Sequence, residues 1–207
     1  TAKEHLTNVL KAALATVPFG GGVASLMSDY IPSRRAQRVE SFLHELVRDL
    51  NCLSERIDSD IFENDEFAFA FERSLRGAAE NYQAEKREAY KAILLNCAVG
   101  SRVGAIEGEY HLRLLDSFST LHVSILAFLF RPRDYLTSRG IAAEKIRGGA
   151  RQSFNGAFPE VPVDAIKSAF GELYSLGLLN TDKTIFDTMT SGSGLNLLEG
   201  RLTEHGE

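Results

Sequence analysis

A chain of 207 residues, 44% apolar and 25% charged with only five prolines, can bury a core and is too apolar to be disordered. Its formal charge of -5 excludes a generally basic nucleic-acid binder, though not a local basic patch. Cys52 and Cys97 are too few for a disulfide framework, and each sits in an apolar helical pattern, which predicts two buried thiols in a reducing compartment.

The opening shows no basic region followed by an apolar core and a small-residue cleavage site, so a cytoplasmic location is expected. Residues 3–17 predict an amphipathic helix, with Leu6, Val9, Leu10, Ala13, Leu14 and Val17 at helical spacing. Pro18 breaks it. Gly20, Gly21 and Gly22 form a corner before a short apolar helix over 23–30, which Ile31-Pro32 closes. Ser33 is the expected N-cap of the next helix. Arg34, Arg35 and Arg38 fall in its first turns, the unfavourable end of the helix dipole for cations. They call for an acidic partner, a phosphate-bearing surface or solvent. From Val39 the steps Phe42, Leu43, Leu46, Leu50, Leu53 and Ile57 predict a long helix with a narrow seam, as in a bundle.

Residues 58–66 read as an acidic connector. Asn64 or Asp65 caps a helix that carries Phe67, Phe69, Phe71 and Leu75 and runs on through Gly77. A further helix is expected over 85–98, with Ala89, Tyr90, Ile93, Leu94 and Cys97 apolar. After a break at 100–104, one long apolar helix spans 106–130 and is most buried at 124–130. Arg131-Pro132 marks a boundary between a helical bundle over 1–130 and a second unit over 131–207. In the first part of that unit Arg131, Arg133, Arg139, Lys145, Arg147 and Arg151 face only Asp134 and Glu144, a candidate patch for an anion or nucleic acid. Residues 147–162, punctuated by Gly148, Gly149, Gly156, Pro159 and Pro162, read as a loop. A helix over 163–179 follows, with Ile166, Phe170, Leu173 and Leu176 on one face and Gly177 as its stop. The period then changes. Residues 184–190 alternate as a strand, Ser191-Gly192-Ser193-Gly194 turns, and 195–203 form a second strand, giving one β-hairpin.

The step Leu176-Gly177-Leu178-Leu179, the hairpin, and the run Leu202-Thr203-Glu204-His205-Gly206 resemble the last third of a winged helix, from about Leu121 onward. The expected fold is therefore mainly α, a helical bundle followed by a small winged-helix-like unit with one β-hairpin. Winged helices often bind DNA, but the helix before this wing offers Lys167 beside Asp164 and Glu172. From Glu160 to Glu207 eight acidic residues face three basic ones, so a packing or protein-binding wing is expected instead. The runs KREAYKAILLNCA and HLRLLDSFSTLHVSILAFL, with this C-terminal module, resemble bacterial proteins of the Abi-alpha (abortive infection) type. That resemblance implies phage defence or stress response and carries over no catalytic residue.

No enzymatic motif is visible. His44-Glu45 lacks a second histidine four residues on, and His111 and His122 are too far apart to share an ion. The acidic cluster Asp58, Asp60, Glu63, Asp65 and Glu66 lacks the calcium loop's central glycine, and Gly20, Gly21 and Gly22 lack a phosphate loop's Gly-Lys-Ser/Thr ending. No cofactor, metal or small-molecule substrate is expected. Residues 9–27 carry a single charge, Lys11, although Pro18 and the glycines interrupt the span. Pro18, Phe19, Gly20, Gly21 and Gly22, with Arg34, Arg35 and Arg38, thus form a candidate membrane or partner surface. The expected function is a non-catalytic defence or regulatory protein acting through a protein partner or self-association. A membrane-active effector is the first alternative, and a winged-helix DNA-binding regulator the second.

Overall fold

The computed structural model describes the backbone of residues 26–57, 61, 63–99, 105–188 and 194–206, with side chains from Arg34 onward except at 54 and 105–107. The fold is mainly helical, and no described residue belongs to a strand longer than an isolated bridge. The chain divides into two compact units, Thr1–Ser117 and Phe118–Glu207.

Among its described residues the first unit holds four α-helices: α1 (Leu26–Cys52), α2 (Asp65–Glu80), α3 (Ala84–Ala98) and α4 (Ala105–Ser117). Helix α1 does not break at Ile31-Pro32, contrary to the expectation of two helices. An interior proline forfeits a backbone hydrogen bond and costs about 3 kcal/mol. Downstream, Val39, Phe42, Leu43, Leu46 and Leu50 are all buried, each stabilising by roughly 1.5–3 kcal/mol, and that seam outweighs the proline. Asn64 caps α2, its side chain accepting from the N–H groups of Glu66 and Phe67. Both cysteines are free thiols; Cys52 lies on the exposed side of α1's last turn, off the seam, and Cys97 is half-buried, so neither is fully buried as expected.

In the second unit α5 (Thr120–Phe130), α6 (Pro132–Ser138), α7 (Ala150–Ala157) and α8 (Val163–Ser175) precede a single helical turn, α9 (Leu195–Leu198). Two sequence expectations fail here for local reasons. The long helix over 106–130 is two helices, because Ser119 starts a new one: its backbone N–H donates to Nδ1 of His122 at 3.1 Å. The loop over 147–162 contains α7, whose Ala150, Phe154 and Ala157 are buried at helical spacing between the glycines and prolines that flank it. Ile125, Phe128 and Leu129 of α5 are buried as expected, but Phe130 is 52% exposed.

The β-hairpin is also corrected. Lys183–Asp187 is a 3-10 helix, started by the Asp182 carboxylate accepting from the N–H of Thr184, and Leu195–Leu198 is helical. Ile185 and Phe186 are adjacent and both buried, which a strand with alternating faces cannot achieve and a 3-10 turn can. The motif ends do meet. Gly177, at φ +74, stops α8, and Leu179 pairs antiparallel with Leu202, flanked by bonds from Asn180 N–H to Arg201 O and from Thr203 N–H to Leu178 O. The core of this unit is aromatic: Phe154 packs against Phe128, Phe158, Phe170 and Phe186 at centroid distances of 5.3, 6.3, 5.8 and 4.8 Å.

Candidate functional site

The arginines of α1 have distinct environments. Arg38 donates from Nε and Nη2 to the carbonyl of Ala79, at 2.8 and 2.5 Å. That carbonyl lies in the last turn of α2, where unsatisfied acceptors and the negative end of the dipole favour a cation. Because α1 runs unbroken from Leu26, the three arginines lie more than two turns inside it and not in its first turns as expected. Arg38 reaches the favourable C-terminal end of a neighbouring helix. Arg34 and Arg35 are exposed. Pro18, Phe19, Gly20, Gly21 and Gly22 lie outside the described residues, as does the apolar stretch up to Ser25.

Contacts along α3 set the directions of its neighbours. Tyr90 lies against Gly77 of α2 and its hydroxyl donates to Oδ1 of Asp116 of α4 at 2.5 Å. Two turns later, Cys97 feels the charge of Glu66, and its Sγ is 3.6 Å from the position a Cβ on Gly108 would occupy. Both α2 and α4 therefore run antiparallel to α3 and parallel to each other. Arg73 joins them directly, donating to Oδ2 of Asp116 from Nε and Nη2 at 2.8 and 2.6 Å. One turn back along α2, the ring of Phe69 lies 5.9 Å from the Arg73 guanidinium and is 45% exposed, and Tyr110 of α4 is 43% exposed. Burial and the Asp116 carboxylate raise the Tyr90 pKa, while burial lowers that of Lys86, against the pull of Asp116.

Lys91, 6% exposed, reaches Glu45 and Asp49 of α1 at 3.2 and 3.1 Å and Glu88 of its own helix at 2.9 Å. Burial alone would lower its pKa, but the hydrogen bonds to Glu88, Asp49 and Glu45 prevail and push it up to about 12. The folded protein thus holds this proton more tightly than the unfolded chain, whose lysine titrates near 10.5. The stabilisation, about 2 kcal/mol, is complete below that value and is lost as pH rises through 12. Ionisation of Tyr90 in the unfolded chain acts in the same direction. The urea midpoint of the first unit is expected to fall steeply above pH 10, and less steeply in Lys91→Met; equal slopes in the two proteins would reject this account.

The basic residues of the second unit are largely engaged by their own neighbours. Arg131 lies 3.9 Å from Asp134 and its guanidinium is 5.2 Å from the Phe130 ring. Arg133 reaches Asn196 at 3.0 Å and Glu199 at 3.6 Å, and Arg139 covers Tyr135 at 4.4 Å. Arg151 and Lys167 share Asp187 at 2.8 and 3.2 Å, and together they hold its carboxyl below the usual range, Lys167 first. Lys145 and Arg147 are exposed. Arg133 and Arg151 tie the C-terminal segment to α6 and α7. Beside these links a shallow cleft of about 430 Å³ is lined by Asp164, Lys167, Ser168, Lys183, Thr184 and Asp187. With two cations and two carboxylates it has no preference for an anion.

Ser119, His122 and Glu172 have the outline of a proton relay, with Oγ to Nδ1 at 2.8 Å and Nε2 to Oε2 at 3.1 Å. The Nδ1 lone pair that a general base would use already accepts the Ser119 backbone N–H. The three residues start α5 and tie it to α8. Among the described residues, no group of three or more histidine, cysteine or acidic side chains is placed to hold a metal ion, and no helix is long and apolar enough to cross a membrane. No protein-family model, curated protein or solved structure matches the chain. Sequence reading missed the Arg73–Asp116–Tyr90 network and buried Lys86 and Lys91. Its one available signal was charge recurring on the apolar face of α3.

Proposed function

We propose that the protein works by contact with another protein, without catalysis, in the phage-defence or stress-response setting that the Abi-alpha resemblance implies. The observation that carries this reading is the exposure of Phe69 and Tyr110 on the parallel helices α2 and α4. Arg73 is fixed between those helices by Asp116 and lies beside Phe69. Aromatic and arginine side chains held rigidly at a surface are the residue types that dominate binding energy in interfaces. The second unit serves the same purpose on this reading, as a winged helix reduced to its frame: α7, a short turn, α8, the Gly177 stop and the Leu179–Leu202 pairing.

A photo-crosslinking residue at position 69 or 110, expressed in a bacterial host, is expected to give a discrete adduct with one protein, or with a second copy of the chain. The same residue at exposed Ser175 gives none. Phe69→Ser with Tyr110→Ser should weaken that association by roughly thirtyfold or more, while leaving the thermal midpoint of the isolated protein within a degree or two. Adducts of equal yield from all three positions would reject the contact surface.

A further inference from the structure

Phe130 ends the apolar helix α5 and yet stands 52% exposed, with the guanidinium of Arg131 at 5.2 Å from its ring. The same pairing recurs two turns later, where the guanidinium of exposed Arg139 covers the Tyr135 ring at 4.4 Å. Arg131 and Arg139 cap the two ends of α6, and the N–H of Tyr135 donates to the carbonyl of Arg131 at 2.9 Å. Positions 131, 135 and 139 follow at steps of four, so they fall along one side of this helix. The row is held firmly from beneath. Tyr135 packs against Phe128 and Phe158 at centroid distances of 5.5 and 5.7 Å, and Leu136 beside it is fully buried. Asp134 lies 3.9 Å from Arg131, but both side chains are more than two-thirds exposed, and an ion pair so placed in water holds the guanidinium weakly.

We propose that this row binds single-stranded nucleic acid, with bases stacked on Phe130 and on the Arg139 guanidinium and phosphates met by Arg131 and Arg139. Each nucleotide carries a flat π-face and an anionic phosphate, and the row repeats the two complementary groups, a ring and a guanidinium. An acidic peptide would use the arginines and leave the Phe130 ring in water. A duplex is disfavoured, because α6 is seven residues long and the row has no asparagine or glutamine to read base edges from a groove. The net charge of -5 removes long-range attraction, so binding is expected at low salt and without sequence preference. This activity goes beyond the protein contact through Phe69 and Tyr110 and does not rest on it.

The test is fluorescence anisotropy of labelled oligo(dT) and oligo(U), about twelve nucleotides long, titrated with the whole protein. Saturable binding is expected, and with two phosphate contacts it should weaken about sevenfold between about 50 and 200 mM salt. Phe130→Ala should weaken it at least about fivefold, and Phe130→Leu, which keeps the apolar bulk and loses the π-face, about as much. Arg131→Ala with Arg139→Ala should lower the affinity about tenfold or more and flatten the salt dependence. Asp134→Asn should raise it about twofold. All four side chains are exposed, and a far-ultraviolet circular dichroism melt within a few degrees of the parent shows that the fold is kept. Exposed Lys183→Ala, and Phe69→Ser with Tyr110→Ser, should bind as the parent does. No saturable binding to either strand, an equal loss in Lys183→Ala, or an unchanged affinity in Phe130→Leu would overturn the proposal. So would a duplex of the same length that binds as tightly. Competition by oligo-glutamate at the same concentration as unlabelled oligonucleotide would overturn it too, by assigning the row to an acidic protein segment.

Discussion

Gly77→Ala is expected to destabilise the first unit by about 1–3 kcal/mol, although alanine is the better helix former by about 1 kcal/mol. A Cβ at this position would lie 2.3 Å from Cζ of Tyr90, with two more ring atoms at 2.5 and 2.6 Å. The ring cannot easily retreat. It is 1% exposed, and its hydroxyl is held by Asp116, which is held in turn by Arg73. The glycine is thus a seat for an aromatic ring, and the helix accepts its poor propensity in exchange for close approach of α3. Combining Gly77→Ala with Tyr90→Leu checks this: the pair should be more stable than the sum of the separate losses, with an interaction of at least about 1 kcal/mol. If urea melts show simple additivity, the steric account is wrong.

Phe154→Ala should be the most damaging single truncation in the second unit, costing about 3–5 kcal/mol. Phe154 is fully buried, and its ring touches four other phenylalanines contributed by α5, α8, the 3-10 turn at 183–187 and the residue that ends α7. Removing it leaves a cavity that none of those rings can fill without giving up its own edge-to-face or stacked contact. Phe154→Leu should recover about half of the loss. Calorimetry that found alanine and leucine equivalent, or a loss below about 1 kcal/mol, would show that the cluster repacks.

What the sequence revealed of this fold follows from the range over which each signal acts. The seam of α1 was legible because five buried residues repeat at steps of three and four, a pattern no strand can use. Asn64 as a cap, Gly77 inside a helix and Gly177 at a stop were legible for the same reason, since each depends on a few neighbouring residues. The hairpin was misread because polar and apolar residues over 184–190 mimic alternation, although Ile185 and Phe186 break it. Leu195 and Leu198, both buried, already had helical spacing. Helix α7 was hidden by the glycines and prolines on either side of it. The candidate site was least legible. Nothing in the chain near Arg38 announces Ala79, and nothing near Phe69 announces Asp116, because those pairs exist only once helices distant in sequence are side by side. The composition of the arginine trio raised the right question, and only the packing of α1 on α2 answered it.

The position of Lys91 has a consequence for how α1 is placed lengthwise. Glu45 and Asp49 are one turn apart on the same face, and the ammonium lies between them with Glu88 alongside. A greasy seam alone tolerates sliding, since one leucine can replace another a turn away. Sliding α1 by one turn in either direction would leave this sheltered cation with one carboxylate of α1 instead of two. The lysine therefore works as a vernier mark: it selects a single axial alignment among several that the seam would accept.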